Sequence, residues 1–444
     1  MKFVADLHLH SAYARATSKN LNFDTLSEWA KYKGINLLSS ADFTHPVWFR
    51  ETKEQLKESG NGLYKYKDTN FVLGSEISCI YSQGGKVRRI HCLLYFPDLK
   101  DVEEFNSLLG KRANLVADGR PIIGLSARDL LELALSVSDK AILIPAHAWT
   151  PWFSLYGSNS GFDSIEECFG DLSAYIYAIE TGLSSDPAMN WRIKDLDKRS
   201  IVSFSDAHSA PKMGRELTIF DTDFSYDGLL EALKSPKQAE NTDERSEAKA
   251  LFGSRSAISL TIEFFPEEGK YHFTGHRNCD VKHSPEETDK YGVICPVCKR
   301  KLTVGVMHRV NDLAEKDRGE DFKPDSRPSY KMLVPLLEIL SEALGASTAS
   351  DRVRVEYTSL VNNFSNEMAV LLKATAADIA KISSNPRVAE GIDRVRRGDI
   401  AVDPGFDGVF GTVKIWPTSD RLIRESPAFR KVQVQAEGQT KLFE

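Results

Sequence analysis

Apolar runs of strand length, such as residues 141–146 and 201–204, alternate with loops and helix-like segments from residue 1 to about residue 250. This alternation predicts an α/β fold with a largely parallel sheet. Many of the runs end at a histidine or a carboxylate. Because the active residues of α/β barrels lie at the carboxyl ends of the strands, side chains that are distant in sequence are expected to converge there.

Six of the ten histidines, together with three carboxylates, fall at predicted strand ends or tight turns. The opening pair, His8 and His10, has H-x-H spacing, which points both imidazoles to one face of a strand. A lone buried histidine is usually a hydrogen-bonded core residue, but so many at matching positions favour a metal site. Imidazole and carboxylate ligands suit Zn, Mn or Fe and can hold several ions. The predicted ligands are His8, His10, Asp42, His45, Glu76, His91, His147, Asp206 and His208.

The ordered series of these residues over about residues 1–220 resembles the PHP (polymerase and histidinol phosphatase) family. That resemblance implies a PHP-type distorted (β/α)7 barrel that binds three metal ions and hydrolyses phosphoesters. Two positions depart from the family pattern. Residues 12–18 provide no histidine or aspartate after the H-x-H pair, and Phe43-Thr44 separates Asp42 from His45.

Three further stretches resemble the endonuclease Q family of DNA-repair endonucleases, and the resemblance extends over the whole chain. They are Arg15-Ala16-Thr17-Ser18, Asp42-Phe43-Thr44-His45-Pro46 and the segment from Glu180 to Trp191. The resemblance implies an enzyme that nicks damaged double- or single-stranded DNA. The cut would lie 5′ to a deaminated base (hypoxanthine, uracil or xanthine) or an abasic site, leaving a 3′-hydroxyl and a 5′-phosphate.

The same resemblance implies how the ligands divide among two or three divalent ions (Zn, Mn, Fe or Mg). His8, His10, Glu76 and Asp206 would hold one ion, and Glu76 would bridge to a second with His91 and His147. His45 or Asp42, with His208, would serve a third. The predicted catalytic residues are Asp206, His8, His10, Glu76 and, as a phosphate contact, Arg15.

DNA contacts are predicted at aromatic and basic side chains. Tyr13, Trp149 and Trp152 lie near the motif loops, where they would wedge against or stack on an extruded nucleotide, or else pack the pocket wall. The net charge of −6 argues mildly against nucleic acid, but binding needs only a local basic stripe. The candidate stripes, which are otherwise ordinary solvated faces, are Lys299, Arg300 and Lys301, and Arg394, Arg396 and Arg397.

A second metal site is predicted from the cysteine spacing. Cys279 and His283 form C-x3-H, and Cys295 and Cys298 form C-x2-C about a dozen residues later. Two close pairs separated by a loop are typical of a closed, structural zinc site. His272 and His276 are alternatives to His283 as the fourth ligand. Such a site would fold a small module and place the basic residues 299–301 against phosphates.

The chain is predicted to contain four regions. They are a PHP phosphoesterase domain (1–255), a zinc-binding module (256–311), a mainly helical DNA-binding domain (312–420) and a flexible tail (421–444). In the tail, Gln439, Leu442 and Phe443 give Q-x-x-L-F, which resembles the peptide that docks repair enzymes on the bacterial sliding clamp. The chain has no phosphate-binding loop, so no nucleotide cofactor is expected.

No apolar run reaches the length of a membrane span, and the first residues enter a strand, so we expect a cytoplasmic, nucleoid-associated enzyme. Two alternatives to a repair endonuclease stay open. One is a small-molecule phosphoesterase of the PHP family, similar to histidinol-phosphate phosphatase. The other is a DNA-binding scaffold with a degenerate PHP site.

Overall fold

A computed structural model of the protein describes residues 1–236 and 257–417. In the first of these ranges, the strands are β1 (Lys2–Asp6), β2 (Leu37–Ser39), β3 (Lys57–Glu58), β4 (Tyr64–Tyr66), β5 (Thr69–Gln83), β6 (Lys86–Phe96), β7 (Ile122–Ile123), β8 (Ile142–Pro145), β9 (Ala178–Glu180), β10 (Ser200–Val202) and β11 (Leu217–Asp221). The helices there are α1 (Phe23–Lys33), α2 (Pro46–Gln55), α3 (Leu99–Leu109), α4 (Ala127–Val137), α5 (Ile165–Phe169), α6 (Pro187–Trp191) and α7 (Tyr226–Lys234).

The second range begins with a strand and continues into small hairpins and helices. Its strands are β12 (Ala257–Glu263), β13 (Thr274–His276), β14 (Val281–His283), β15 (Ser329–Met332), β16 (Ala401–Asp403) and β17 (Thr412–Lys414). Its helices are α8 (Pro285–Tyr291), α9 (Val306–Leu313), α10 (Leu336–Leu344), α11 (Asp351–Asn363), α12 (Glu367–Leu372), α13 (Ala376–Ile382) and α14 (Pro386–Arg396). Short 3-10 turns lie at Gly170–Tyr175, Lys194–Leu196, Ala210–Lys212, Pro266–Glu268 and Arg277–Cys279.

The main sheet has 11 strands in the order β15-β12-β11-β1-β2-β5-β4-β3, with β6 and β7 also paired with β5, and β8 paired with β6. The prediction of a largely parallel sheet is wrong, because the sheet is mixed. β1 pairs with β2 in parallel but with β11 antiparallel, and β5 pairs antiparallel with β6 over eleven residue pairs. The tight turn at Gly84 and Gly85, both at positive φ, joins β5 directly to β6 and therefore excludes a helical crossover.

The strand arrangement explains where the predicted ligands lie. His8, His147 and Asp206 follow the carboxyl ends of β1, β8 and β10, as the pattern predicted. A parallel bridge between Leu9 and Ala207 brings two of these loops together. The strand-end assignment is wrong for two residues. Glu76 and His91 lie inside the long β5–β6 hairpin, with Ser78 opposite His91, and they project inward from its middle.

The helical region from α10 to α14 packs on the N-terminal region through α1. Helix α1 begins after Asn22, whose side chain accepts a hydrogen bond from the Thr25 amide, and it ends at Gly34 in the left-handed conformation (φ 82°). A Cβ on Gly34 would lie 2.6 Å from Asn366 Cγ, so glycine permits close approach of α1 and α12. A mixed α/β fold with a helical C-terminal region therefore stands, whereas barrel closure and the four domain boundaries stay predictions.

In the described ranges 1–236 and 257–417, none of the helices combines the length and apolar character that crossing a membrane requires. The tail prediction, with Gln439, Leu442 and Phe443, lies outside the described residues.

Candidate active site

Four buried or half-buried side chains converge on one point: two follow β1, one lies within β5 and one follows β10. His8 Nε2 lies 3.5 Å from Glu76 Oε2 and 3.4 Å from Asp206 Oδ1. His10 Nε2 lies 3.3 Å from the same Glu76 oxygen and 3.2 Å from the same Asp206 oxygen. We call His8, His10, Glu76 and Asp206 group A. One ligand atom from each of its members lies within 4.8 Å of the others.

The other oxygen of Glu76 belongs to a second cluster, group B, formed by Glu76, His91 and His147. Glu76 Oε1 lies 2.7 Å from His91 Nδ1 and 3.2 Å from His147 Nε2. The two ring nitrogens lie 3.2 Å apart. The Glu76 carboxylate therefore presents one oxygen to each group, which is the arrangement that a bridging ligand between two ions requires.

Three charged residues surround the groups. Asp42 Oδ1 lies 3.2 Å from His10 Nδ1, and the buried Asp42 also accepts hydrogen bonds from the Ser11 amide and hydroxyl, each at 2.6 Å. Glu180 contacts the far side of His8, with both of its oxygens 3.0 Å from Nδ1. Arg120 Nη1 lies 3.0 Å from Glu76 Oε2. These contacts orient the ligand side chains.

The electrostatics of the site fit a bound cation. Burial lowers the pKa of His8, but Glu180, Asp206 and Glu76 outweigh burial and hold that pKa well above its usual value. For His10, burial is likewise outweighed, chiefly by hydrogen bonds with Asp206 and Asp42, and its pKa is also raised. In the metal-free protein, protons on these imidazoles balance the carboxylates, and a divalent cation would replace those protons.

The protonation states of His91 and Glu76 also fit a bound cation. Burial lowers the pKa of His91 to about 4, so its ring is neutral and able to act as a ligand at neutral pH. Burial raises the pKa of Glu76, but His91 and Arg120 outweigh burial and place the pKa well below the usual range. His8 Nε2 is buried and has no hydrogen-bond partner within the described ranges. This atom therefore faces the centre of group A, where a cation would replace its proton.

The residues predicted for a third ion are not assembled into a ligand group in the part of the chain that the structure describes. Asp42 contacts His10 and Ser11. The His45 ring stacks on Tyr13, with centroids 4.5 Å apart, and its Nδ1 accepts from the Trp48 amide at the start of α2. His208 is half-buried, and its Nδ1 lies 3.0 Å from the Asp206 carbonyl oxygen.

The three aromatic candidates for DNA contact differ in how deeply they are buried. Trp149 is fully buried, stacks on Tyr156 and donates from Nε1 to Asn190, so its ring has no free face for the predicted stacking on DNA. Trp152 is half-buried and meets Tyr271 edge to face, with centroids 5.6 Å apart. Tyr13 is half-buried and donates to Glu51. Of these three candidates, Tyr13 and Trp152 are the two that are not fully buried.

The basic candidates fall into two sets, one bonded within the protein and one exposed. Arg396 donates from Nε and Nη2 to the carbonyls of Leu371 and Val370, so it fastens α14 to α12 rather than facing DNA. Arg394 and Arg397 form ion pairs, with Asp399 at 3.2 Å and Asp393 at 3.0 Å respectively. By contrast, Lys299, Arg300 and Lys301 are exposed. Arg15 is exposed beside Asp118 and does not touch groups A and B.

The cysteine site is assembled, but with a different histidine. Cys279, Cys295 and Cys298 come together with His276, whose Nδ1 lies 3.3 Å from Cys298 Sγ. The choice of His283 is therefore corrected to its alternative His276. His276 ends β13 beside the turn that contains Cys279, whereas His283 pairs with Thr274 farther along the β13–β14 hairpin. His272 is buried outside the group.

Sequence reasoning missed Glu180 and Arg120 as site residues. Glu180 had a usable signal, because it ends the apolar run Tyr177-Ala178-Ile179 in the same way that His147 ends its own run. Arg120 had none, because it follows a turn in a polar stretch and reaches Glu76 only through the fold.

Comparison with known proteins gave matches over the helical region and over nearly the whole chain. A family profile described as the MJ0043 C-terminal domain matches residues 335–399, where α10 to α14 lie. The chain is 30% identical over 435 residues to YqxK of Bacillus subtilis strain 168, covering 93% of this chain and 99% of YqxK. It is 31% identical over 281 residues to MJ0043 of Methanocaldococcus jannaschii, covering 63% of this chain but only 33% of that relative.

Two solved structures are similar in fold and sequence. One is the lesion-specific endonuclease PfuEndoQ from Pyrococcus furiosus, with a TM-score of 0.78 and 30% identity, covering 93% of this chain and 95% of that chain. The other is endonuclease Q in complex with a 27-mer duplex that has an abasic lesion at the active site. Its TM-score is 0.79 at 30% identity, with 96% of this chain and 99% of that chain covered.

Proposed function

The chain belongs to the endonuclease Q family, and we propose that it is a metal-dependent DNA-repair endonuclease that cuts 5′ to a deaminated base or an abasic site. The bases would be hypoxanthine, uracil or xanthine, and the products a 3′-hydroxyl and a 5′-phosphate. The proposal is supported by likeness over nearly the whole chain to a lesion-specific endonuclease and to a complex with an abasic duplex.

The single observation that supports a two-ion mechanism is the position of Glu76. Its Oε2 lies with His8, His10 and Asp206, and its Oε1 lies with His91 and His147. Ions held by groups A and B would lower the pKa of a water and stabilise charge on the reacting phosphate. A closed structural site would have no such shared carboxylate.

The surrounding side chains suit a phosphodiester substrate. Asp206 is the more exposed of the two carboxylates of group A, so it can contact a water on the open side of the site. Burial raises its pKa, but His8 and His10 outweigh burial and hold that pKa well below the usual range, which suits a ligand of a cation. The Arg120 guanidinium, fixed by Glu76, is partly exposed and can donate to a phosphate oxygen. Fully buried Glu76 and His8 would hold the reacting centre away from bulk water.

The zinc-binding module lies close to this site. Trp152, which contacts Tyr271 of the module, is followed by Phe153, whose ring centroid lies 4.8 Å from that of His91. Arg309, near the end of the module, donates to the carbonyls of Tyr156 and Phe162 in the same loop. We infer that His276, Cys279, Cys295 and Cys298 bind a structural zinc and that Lys299, Arg300 and Lys301 contact the DNA backbone. A PHP-type (β/α)7 barrel remains part of this proposal.

The test is a nicking assay on labelled duplexes that contain deoxyinosine, deoxyuridine or an abasic site, with an undamaged duplex as the control. The enzyme is stripped of metal and reloaded with Mn²⁺ or Mg²⁺. Cleavage confined to the 5′ side of a lesion supports the proposal. Asp206→Ala should reduce cleavage by at least about a hundredfold while the melting temperature of the metal-free protein stays close to that of the wild type.

Other outcomes would favour the alternatives. Turnover of histidinol phosphate or p-nitrophenyl phosphate, with no cut in any duplex, would indicate a small-molecule phosphoesterase. Binding of abasic duplex without metal uptake or hydrolysis would indicate a scaffold with a degenerate site. We also propose that Gln439, Leu442 and Phe443 dock on a sliding clamp, and Leu442→Ala/Phe443→Ala should abolish clamp binding in gel filtration without changing nicking of short duplexes.

A further inference from the structure

Glu180 is a fully buried carboxylate that contacts both ligand groups without belonging to either. It is the last residue of β9. Both of its oxygens lie 3.0 Å from His8 Nδ1, and Oε2 also accepts a hydrogen bond from the His147 backbone amide at 2.7 Å. One side chain therefore touches a histidine of group A and the backbone of a histidine of group B.

The contact with His8 determines which ring nitrogen is free. An ionised carboxylate can only accept hydrogen bonds, so it keeps a proton on Nδ1. The Nε2 atom is then the one that can offer a lone pair, and it faces Glu76 and Asp206. Histidines that bind metals commonly donate their other N–H to a carboxylate in this way, which fixes both the tautomer and the ring orientation.

The contact with His147 stabilises an unusual backbone conformation. His147 has a backbone φ of 30°, a conformation that residues other than glycine rarely adopt. Two bonds to Glu180 hold this turn: the His147 amide to the side chain, and the Ala148 amide to the Glu180 carbonyl at 2.9 Å. A Cβ at Gly182 would lie only 2.3 Å from His147 Cβ, so the segment after β9 packs directly against the turn.

Asp42 provides a useful comparison. It contacts His10 Nδ1 at 3.2 Å in the same manner, but its other hydrogen bonds are to Ser11, next to His10 itself. Asp42 therefore acts on group A only. Glu180 differs because the group B turn depends on the same carboxylate.

We propose that Glu180 is a positioning residue for both ions: it selects the metal-binding tautomer of His8 and fixes the backbone that presents His147. The inference rests on the proposed two-ion function. In Glu180→Gln, the glutamine side-chain oxygen would accept the hydrogen bond from the His147 backbone N–H. The glutamine NH₂ group would then face His8 Nδ1. The glutamine would keep one acceptor near Nδ1 and replace the other with a donor. The preference for a proton on Nδ1 would therefore weaken, and the ring proton would shift toward Nε2, the wrong tautomer for binding the ion.

The experiment measures Mn²⁺ affinity and stoichiometry by calorimetry on metal-stripped full-length protein, together with the melting temperature. The ¹⁵N shifts of the His8 ring are recorded on the same protein at a pH high enough for the ring to be neutral, because its pKa is raised. The matched control is Glu263→Gln. Glu263 is also fully buried, and its pKa is raised to about 8, mainly by burial, so it is protonated at neutral pH and glutamine resembles it closely. It does not contact the site histidines.

Glu180→Gln should bind Mn²⁺ roughly ten- to a hundredfold more weakly than the wild type, with the His8 proton shifted toward Nε2, whereas Glu263→Gln should match the wild type. Wild-type affinity and an unchanged tautomer in Glu180→Gln would overturn the inference. If Glu180→Gln does not fold, Glu180→Asp, which keeps the charge but shortens the reach, must show weaker Mn²⁺ binding, and wild-type affinity there would also overturn it. Wild-type protein that binds Mn²⁺ but leaves lesions uncut would contradict the proposed function and not this inference.

Discussion

The Lys33 ammonium lies 2.7 Å from the Glu367 carboxylate, and both side chains are buried where α1 meets α12. The same carboxylate accepts hydrogen bonds from the Tyr357 hydroxyl at 2.8 Å and from the Leu336 amide at 3.1 Å. A charge in such a place is costly without its partner. The pair therefore couples the helical region to the N-terminal region.

Lys33→Met should lower the free energy of unfolding by about 3–5 kcal/mol, because it leaves Glu367 buried without its ammonium partner. Urea unfolding measures the loss. Lys53→Met is the control, since the Lys53–Glu103 pair is exposed and its loss should cost about 1 kcal/mol or less. Equal effects of the two substitutions would show that the buried pair does not couple the regions.

A second prediction concerns the stability of the protein against pH. Burial raises the pKa of Glu263 to about 8, and the nearby Glu216, also buried beside it, has a pKa well above its usual range. Between about pH 4.5 and pH 8 the folded protein retains a proton on Glu263 that the unfolded chain releases, so stability falls as pH rises through this window. Glu263→Gln removes that titration.

The stability of Glu263→Gln should therefore exceed that of the wild type by about 1–3 kcal/mol at pH 8, and the two proteins should converge near pH 5. Chemical denaturation at both pH values measures the difference. Comparing the two proteins also cancels the contribution of Glu268, whose pKa burial raises to about 7 without an interaction with Glu263. If the difference in unfolding free energy between the two proteins did not change with pH, the raised pKa of Glu263 would not be its cause.

The sequence predicted those parts of the site that lie close together in the chain. The H-x-H spacing placed His8 and His10 on one face, and the apolar runs before His147 and Asp206 correctly marked strand ends. The same rule misplaced Glu76, because β5 runs on for seven residues beyond it to Gln83 and a two-glycine turn makes a hairpin that periodicity does not distinguish from two separate strands.

The family resemblance predicted the two groupings of distant ligand residues that the structure shows, but it did not predict the internal packing of the other candidate residues. Trp149 and Arg396 have side chains that suit DNA, but tertiary packing satisfies both internally, with Asn190 and with the last carbonyls of α12. The choice between His276 and His283 likewise depended on the register of the β13–β14 hairpin, since both have plausible spacing from Cys279. The spacing of cysteines and histidines in the sequence indicates a metal site, but the register of the hairpin decides which histidine belongs to it.

The third prediction tests that register. His276→Ala should lose most of the bound zinc in the module, because it removes one of four converging ligands, whereas His283→Ala should keep it. Zinc released from each purified variant by a thiol-reactive mercurial is measured with a colorimetric chelator. Loss in His283→Ala with retention in His276→Ala would return the assignment to His283.

The last prediction concerns the exposed cations that follow the cysteine knuckle. Arg300 and Lys301 make no ion pair with any residue in the described ranges, in contrast to Arg397, which pairs with Asp393 at 3.0 Å. Unpaired cations on a rigid module can neutralise phosphates, and each such contact adds about 0.9 to the slope of log affinity against log salt concentration.

Arg300→Ala/Lys301→Ala should therefore weaken binding to an abasic duplex and reduce that slope by about 2, with no change in Mn²⁺ affinity at groups A and B. Fluorescence anisotropy over a range of salt concentrations measures the slope, with Ca²⁺ in place of Mn²⁺ to slow cleavage. Arg397→Ala is the control and should leave the slope unchanged, because its guanidinium is already neutralised by Asp393. A wild-type slope in the double variant, or an equal reduction in Arg397→Ala, would show that DNA does not bind along the zinc-binding module.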